Sequence, residues 1–499
     1  MENIFMTGLK NANNFTRTEN GALTHKSTMS DLLDLFAMGA AYRTRSDEDV
    51  ILLFKKAFAE NPTYALKCLF YIRDARGGQG ERRFFRVVMK WLASDNSDAV
   101  LRNLSHIPEF GRWDDLFVFI GTPIQDEALT MIKHQLALDV QCKTPSLLAK
   151  WMPSENTSSA KTRKNAMVVR KYLGMTSRQY RKVLSALRQR INVLERLMSE
   201  GRWEDIEFDK IPSKAGLKYK NAFARHDIER MKAEKPVQTY ADFAKSSETK
   251  VNAKALYPYE VVDKAHYAWN KDMLDTDRLM VNKYWDNLTD YFNGKTFNGL
   301  AMVDTSASMT WHGGAAAPIN VAISLGMYCA ERAKGPFAGH YVSFSRAPQL
   351  VHVEGVDFVD KVKRIYQTNL CQNTNIEAAF DMLLTTAINN KCSQEDLPEN
   401  LIVISDMEFD TGCNFYGHSA KTLMESIAAK WAQYGYRMPH LIYWNVEARQ
   451  NNIPQDIGCG RISYVSGMSP SIFETILSGK TGYDLMMEKL NSARYECIQ

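Results

Sequence analysis

The sequence predicts a multidomain chain, with an all-α helical repeat domain followed by an α/β domain built on a mainly parallel sheet. Three observations predict it. At 499 residues the chain exceeds what one hydrophobic core usually organises. Up to about residue 295 the apolar residues recur at helical spacing, and after it short β-type runs alternate with helical ones.

The totals fit an ordinary folded protein: 45% hydrophobic, 24% charged and 11% aromatic residues argue against wholesale disorder. No stretch reaches the roughly 18–20 apolar residues of a membrane span. The polar opening MENIFMTGLKNANNFTRTENG lacks an apolar signal core, so a cytoplasmic protein with no membrane partner is expected. The eight cysteines show no CxxC pair and no zinc spacing, and they read as small buried hydrophobes without disulfides.

The first element is a segment at 1–26, followed by a helical domain at 27–295. SDLLDLFAMGAAY, DVILLFKKAFAENP, TYALKCLFYIRDA, RRFFRVVMKWLAS and DEALTMIKHQLALDV each place apolar residues on one helical face. In AENPTYA, Asn61 is placed to cap a helix whose first turn holds Pro62. Consecutive helix pairs with short connections predict HEAT-like repeats, with an irregular helical domain as the competitor.

The second domain spans 296–499. GLAMVD, FAGHYVSF, LVHV, NLIVISD, HLIYWNV and RISYVSG read as strands, with helical stretches between most of them. FAGHYVSF and LVHV lie close enough to form a hairpin that adds one antiparallel edge strand.

Ligands of an open α/β sheet collect beyond the carboxyl ends of its strands. There the sequence places Asp304, Ser306 and Ser308 after one strand, Thr374 before a helix, and Asp406 after another strand. Carboxylate and hydroxyl oxygens suit one hard divalent cation, Mg²⁺ first, with Ca²⁺ or Mn²⁺ as alternatives. Glu408 and Asp410 lie nearby and could support the ligands from behind or act as a general base, with solvated loop carboxylates as the commoner reading. No catalytic residue is assigned: no GxSxG elbow occurs, and His340 and His352 fall in strands away from that rim. An enzyme is not expected, although a metal-dependent nuclease or phosphatase stays open.

Charge is uneven. Residues 161–235 carry 20 Lys+Arg against 9 Asp+Glu, while the whole chain has a net charge of only +5. Lys161, Arg163, Lys164, Arg170, Lys171, Arg178, Arg181 and Lys182 are candidate RNA contacts, with Tyr172 and Tyr180 interleaved for stacking on bases. A solvated helix face over packed tyrosines is the competing reading. In YIRDARGGQGERRFFR the glycines read as an interhelical turn from which Arg73, Arg76, Arg82 and Arg83 project towards RNA; no GK[ST] follows, so it is not a nucleotide P-loop. Trp113 and Trp151, in neighbouring segments, read as core.

The order Asp304-x-Ser306-x-Ser308, Thr374, Asp406 resembles the metal-ion-dependent adhesion site (MIDAS) of the von Willebrand factor A-type (vWA) family, a Rossmann-like fold. NGALTHKSTMSDLLDLFAMG, YIRDARGGQGER, PEFGRWDDLF and KWMPSEN resemble the TROVE module of the Ro autoantigen family. They are more similar still to a phage, viral and plant family of the same architecture. The resemblance implies a helical module that binds structured small RNA or single-stranded RNA ends, joined to a vWA domain. The expected function is that of an RNA-binding protein, such as a small-RNA ribonucleoprotein or RNA quality-control factor. The alternative is a metal-dependent protein-interaction scaffold, in which a partner protein's acidic residue completes the metal site.

Overall fold

The computed structural model describes residues 14–233, 237–269, 273–310, 314, 316–345, 347–367, 373–411, 422–455 and 461–499. The chain divides into two compact units. One takes in the described residues up to Cys68 together with Ala253–Arg494, and the other is Leu69–Asn252 with Tyr495–Gln499.

The first unit is α/β. A hairpin of β1 (Phe15–Arg17) and β2 (Leu23–His25) forms a two-stranded sheet separate from a six-stranded one. That sheet holds β3 (Gly299–Asp304), β4 (His340–Phe344), β5 (Gln349–His352), β6 (Asn400–Ser405), β7 (His440–Asn445) and β8 (Ile462–Ser466). Its order is β5-β4-β3-β6-β7-β8, parallel throughout except for β5, which pairs antiparallel with β4 at the edge. Every residue of β3 and β7 is buried, as expected of strands covered on both faces. Helix Pro318–Arg332 lies close on β3: a Cβ on Gly326 would come within 2.4 Å of Val303 Cγ2.

Packing groups the helices differently from the expected sequence boundary near residue 296. Helix Asp31–Met38 is buried on nearly all sides and packs on β8 and β7, where Ser466 Oγ donates to the Phe36 carbonyl (2.9 Å). Helix Asp47–Glu60 packs on it in turn. Helices Pro258–Trp269 and Asp275–Asp286 pack on helix Phe358–Gln367, and the first also packs on Pro318–Arg332. Periodicity shows that a helix has an apolar face but carries no information on which core that face joins.

The second unit is helical. Its longest helices are Gln125–Gln141, Ser177–Arg190, Arg83–Asp95, Ala160–Tyr172 and Ser213–Arg225, joined by shorter turns of helix. Phe70 meets Phe85 and Phe110 edge to face, at 5.4 and 5.3 Å between centroids. Tyr495, fully buried, stacks on Phe110 and donates to Asp74 Oδ2 (3.1 Å), so this segment belongs to the helical core rather than to the sheet. Asn61 does cap the helix beginning at Pro62, accepting from the Tyr64 amide at 3.1 Å.

Among the described residues no helix is long and apolar enough to cross a membrane. Cys68 and Cys329 are buried free thiols. Cys142 is exposed and Cys392 and Cys497 are half-buried, so burial holds for only part of the set. Cys371, Cys413 and Cys459 lie outside the described residues.

Candidate functional site

The sheet brings the oxygen-bearing residues of the rim together. The register Val303↔Ile404 sets the carboxyl ends of β3 and β6 side by side, and Ser405 Oγ donates to Asp304 Oδ2 (2.5 Å). Asp304 Oδ1 accepts the Ser306 amide at 2.9 Å, which folds the following turn back over the strand end. Ser306 Oγ and Ser308 Oγ then lie 3.0 Å apart, and the Ser308 hydroxyl bonds the Asp406 carboxylate. After Asp406 the chain turns sharply: Met407 is left-handed at φ 64°, and the Glu408 amide returns to Asp406 Oδ1 (3.2 Å). Thr374 is 2% exposed and joins the same loop through its carbonyl, which accepts the Asp410 amide at 3.1 Å.

Burial and the facing Asp406 carboxylate push Asp304 up to about 7, against hydrogen bonds from Ser405 and Ser306. Burial also raises Asp406, opposed first by the Arg449 guanidinium. Glu408 is fully buried and pushed up to about 7 by desolvation, which corrects its reading as a solvated loop carboxylate. One of its oxygens accepts the Glu19 amide (2.7 Å), and Oε1 has no hydrogen-bond partner among the described residues. Asp410 is half-buried, and burial raises it too.

These residues fit a hard cation. Oxygens on adjacent octahedral corners around Mg²⁺, each at about 2.1 Å, sit about 3.0 Å from one another. The serine pair has that spacing. Among the described residues no three His, Cys, Asp or Glu side chains cluster as a metal-binding group; the rim groups that could hold an ion are hydroxyls beside a buried acid pair.

In the helical unit the glycine-rich string forms an interhelical turn, as expected. Asp74 organises it: its carbonyl accepts the amides of Gly78 and Gly80, and its carboxylate accepts the Arg76 amide. A Cβ on Gly78 would lie 2.0 Å from the Tyr71 carbonyl oxygen. Three of the four strings that carried the family resemblance pack on one another here. Arg73 is 2% exposed and paired with fully buried Asp115 of PEFGRWDDLF. Arg112 lies 3.9 Å over the half-buried Trp151 ring of KWMPSEN.

Residues 298–496 match the model of the "Domain of unknown function (DUF7788)". Residues 18–166 and 139–295 match that of the "Domain of unknown function (DUF2828)". A curated relative, "Uncharacterized protein L728" of Acanthamoeba polyphaga mimivirus, is 30% identical over 505 residues, which cover 94% of this chain and 85% of the relative. The chain belongs to the DUF2828 family.

The arginine and lysine candidates of the DUF2828 chain divide sharply. Arg73 is withdrawn as an RNA contact, because it is sealed in its pair with Asp115. Arg76 and Arg82 are exposed and Arg83 is half-buried. Arg170 is half-buried and bonds Glu155 at 2.8 Å. Lys161, Arg163, Lys164, Lys171, Arg178, Arg181 and Lys182 are exposed on helices Ala160–Tyr172 and Ser177–Arg190.

The stacking role for tyrosine is corrected. Tyr180 is 1% exposed with its hydroxyl on the Pro153 carbonyl, and Tyr172 is half-buried with its hydroxyl on Thr130 and the Asp126 carbonyl.

Sequence reasoning missed four residues of the rim: Ser405, Arg449, Glu19 and Asn20. Ser405 is visible as the residue before Asp406. The others come from distant loops, and no local pattern points to them.

Proposed function

We propose that the α/β unit is a vWA-type domain holding one divalent cation, most readily Mg²⁺, on Asp304, Ser306, Ser308, Thr374 and Asp406, and that the protein binds RNA through its helical unit. What supports the cation reading is the convergence of Ser306, Ser308 and a buried Asp304–Asp406 pair at the carboxyl rim of a parallel sheet. A +2 ion offsets the repulsion that raises Asp304, and few protein ligands leave coordination positions for water or a partner's carboxylate. Calorimetric titration with Mg²⁺ and Mn²⁺ tests it: binding that Asp304→Ala abolishes is expected, and no heat from either ion overturns it.

What supports the RNA reading is the row of exposed cations on the two consecutive helices, read with the resemblance to the TROVE module. Ions released from the phosphate backbone would make that binding strongly salt-dependent. Electrophoretic shifts with mixed structured and single-stranded RNAs at rising salt test it. No shift at low salt, or a shift insensitive to salt, overturns it.

A protein-interaction scaffold is the second reading, favoured by Arg73, Tyr172 and Tyr180 having structural duties. A pull-down that is chelator-sensitive and nuclease-insensitive, lost in Asp304→Ala, would select it.

A further inference from the structure

The rim carries a contact that the cation reading does not explain. The turn between β1 and β2 lies on it. Thr18 Oγ1 donates to the Phe409 carbonyl (2.7 Å), the Glu19 amide to Glu408 (2.7 Å), and Thr411 Oγ1 to the Asn20 carbonyl (3.1 Å). Asn20 Nδ2 reaches both the Glu408 carbonyl (2.6 Å) and Thr374 Oγ1 (3.4 Å), the hydroxyl assigned to the cation. Arg449, whose side chain is 14% exposed, completes the arrangement. One of its terminal nitrogens lies 2.9 Å from Asp406 Oδ2 and the other 2.7 Å from Glu19 Oε2. A single guanidinium therefore ties an assigned ligand to the turn that covers it, in the forked geometry arginine favours.

We propose that Thr18–Gly21 and Arg449 form a latch over the cation rim, in which Arg449 and a divalent cation compete for Asp406. The inference rests on the cation reading. Arg449 supplies the positive charge at Asp406 while the latch is closed. A cation that takes Asp406 removes one of the two carboxylates holding the guanidinium, and the contact of Asn20 with Thr374 is given up in the same step. The turn then leaves, and the open side of the ion is uncovered for an acidic group. Cation binding and exposure of the rim thus become one event, with Glu19 as the tether.

The test uses the full chain, Mn²⁺ alone as the probe, and hydrogen exchange of the Glu19 and Ala22 amides, which the closed turn bonds to Glu408 and Thr18. Saturating Mn²⁺ is expected to speed their exchange about tenfold, the worth of one charge-assisted hydrogen bond. Arg449→Lys keeps the charge but cannot bridge both carboxylates, so its turn should exchange faster before any Mn²⁺ is added. Glu19→Gln, at a partly exposed position, should bind Mn²⁺ more tightly than the parent.

Mn²⁺ that binds while exchange of the turn stays unchanged overturns the latch and leaves the cation site standing. So does Glu19→Gln with the parent's affinity, which carries the test if Arg449→Lys does not fold. No Mn²⁺ binding by any of the three proteins removes the cation reading and the latch with it.

Discussion

The Arg73 guanidinium lies 2.6 Å from Asp115 Oδ2, with both side chains almost wholly withdrawn from water. Arg86 reaches the other oxygen of the same carboxylate (2.6 Å), and the Arg112 amide also donates to Oδ2 (2.9 Å). Gly111 is small because it has to be: a Cβ there would meet Asp115 Oδ2 at 2.3 Å. The pair joins two sequence strings that are 42 residues apart, and it gives both a structural reason to exist.

Removing one partner of such a pair strands a buried charge. Asp115→Ala is therefore expected to cost about 3–5 kcal/mol of stability. Urea denaturation followed by circular dichroism measures it, and a loss below about 1 kcal/mol would mean that the pair is weakly held.

The Gly78 turn tolerates no side chain. Because the obstacle is the backbone oxygen of Tyr71, Gly78→Ala should cost about 1–3 kcal/mol or more by forcing the chain apart. The thermal midpoint of the purified variant reports this directly; an unchanged midpoint refutes the packing argument.

If the rim holds the proposed cation, Asp304 should make its binding depend on pH. Its carboxyl is held near 7, so below that value a proton occupies the group and the ion must displace it. Mn²⁺ affinity should rise as pH climbs from 6 to 8 and level off above it. A flat profile over that range would show that Asp304 is already ionised.

Asp34 predicts an opposite trend for stability. Burial in helix Asp31–Met38 raises it to about 6, against bonds from Thr28. The folded state then binds its proton more tightly than the unfolded one, so this group adds stability as pH falls from about 6 towards 4. The limit is about 3 kcal/mol. Comparing urea midpoints of the parent and Asp34→Asn at pH 7 and pH 5 isolates it: the gap should move in the parent's favour at pH 5.

On the helical unit, Arg181→Glu with Lys182→Glu should flatten the salt dependence of the proposed RNA binding while leaving the fold intact, since both side chains are exposed. Each lost phosphate contact lowers the slope of log affinity against log salt by about 0.7 on single strands. Arg170→Glu is expected to destabilise the helix pair as well, because Glu155 loses its partner.

Much was legible in the residue order. The six strands of the sheet, the antiparallel edge pair and the helix beginning at Pro62 follow from alternation, apolar runs and capping chemistry, which are local properties of the chain. The meeting of Asp304, Ser306, Ser308 and Asp406 at one rim was legible too, because the carboxyl ends of neighbouring parallel strands lie side by side. The assignment of particular helices to one packed unit or the other was not. Helices Asp31–Met38 and Pro258–Trp269 have the same periodicity as those of the helical unit, and only packing assigns them to the unit that holds the sheet.

Residue order alone determined which segments are helix or strand and which oxygens can meet at one end of the sheet, since both follow from short-range backbone geometry. Tertiary structure decided the fate of the charges. Arg73 became a buried strut because Asp115 lies across a packed turn, and Arg449 with Glu19 came to lie over Asp406 through contacts spanning hundreds of residues. Whether a guanidinium faces water or a carboxylate depends on what the rest of the chain brings to it, and no local pattern records that.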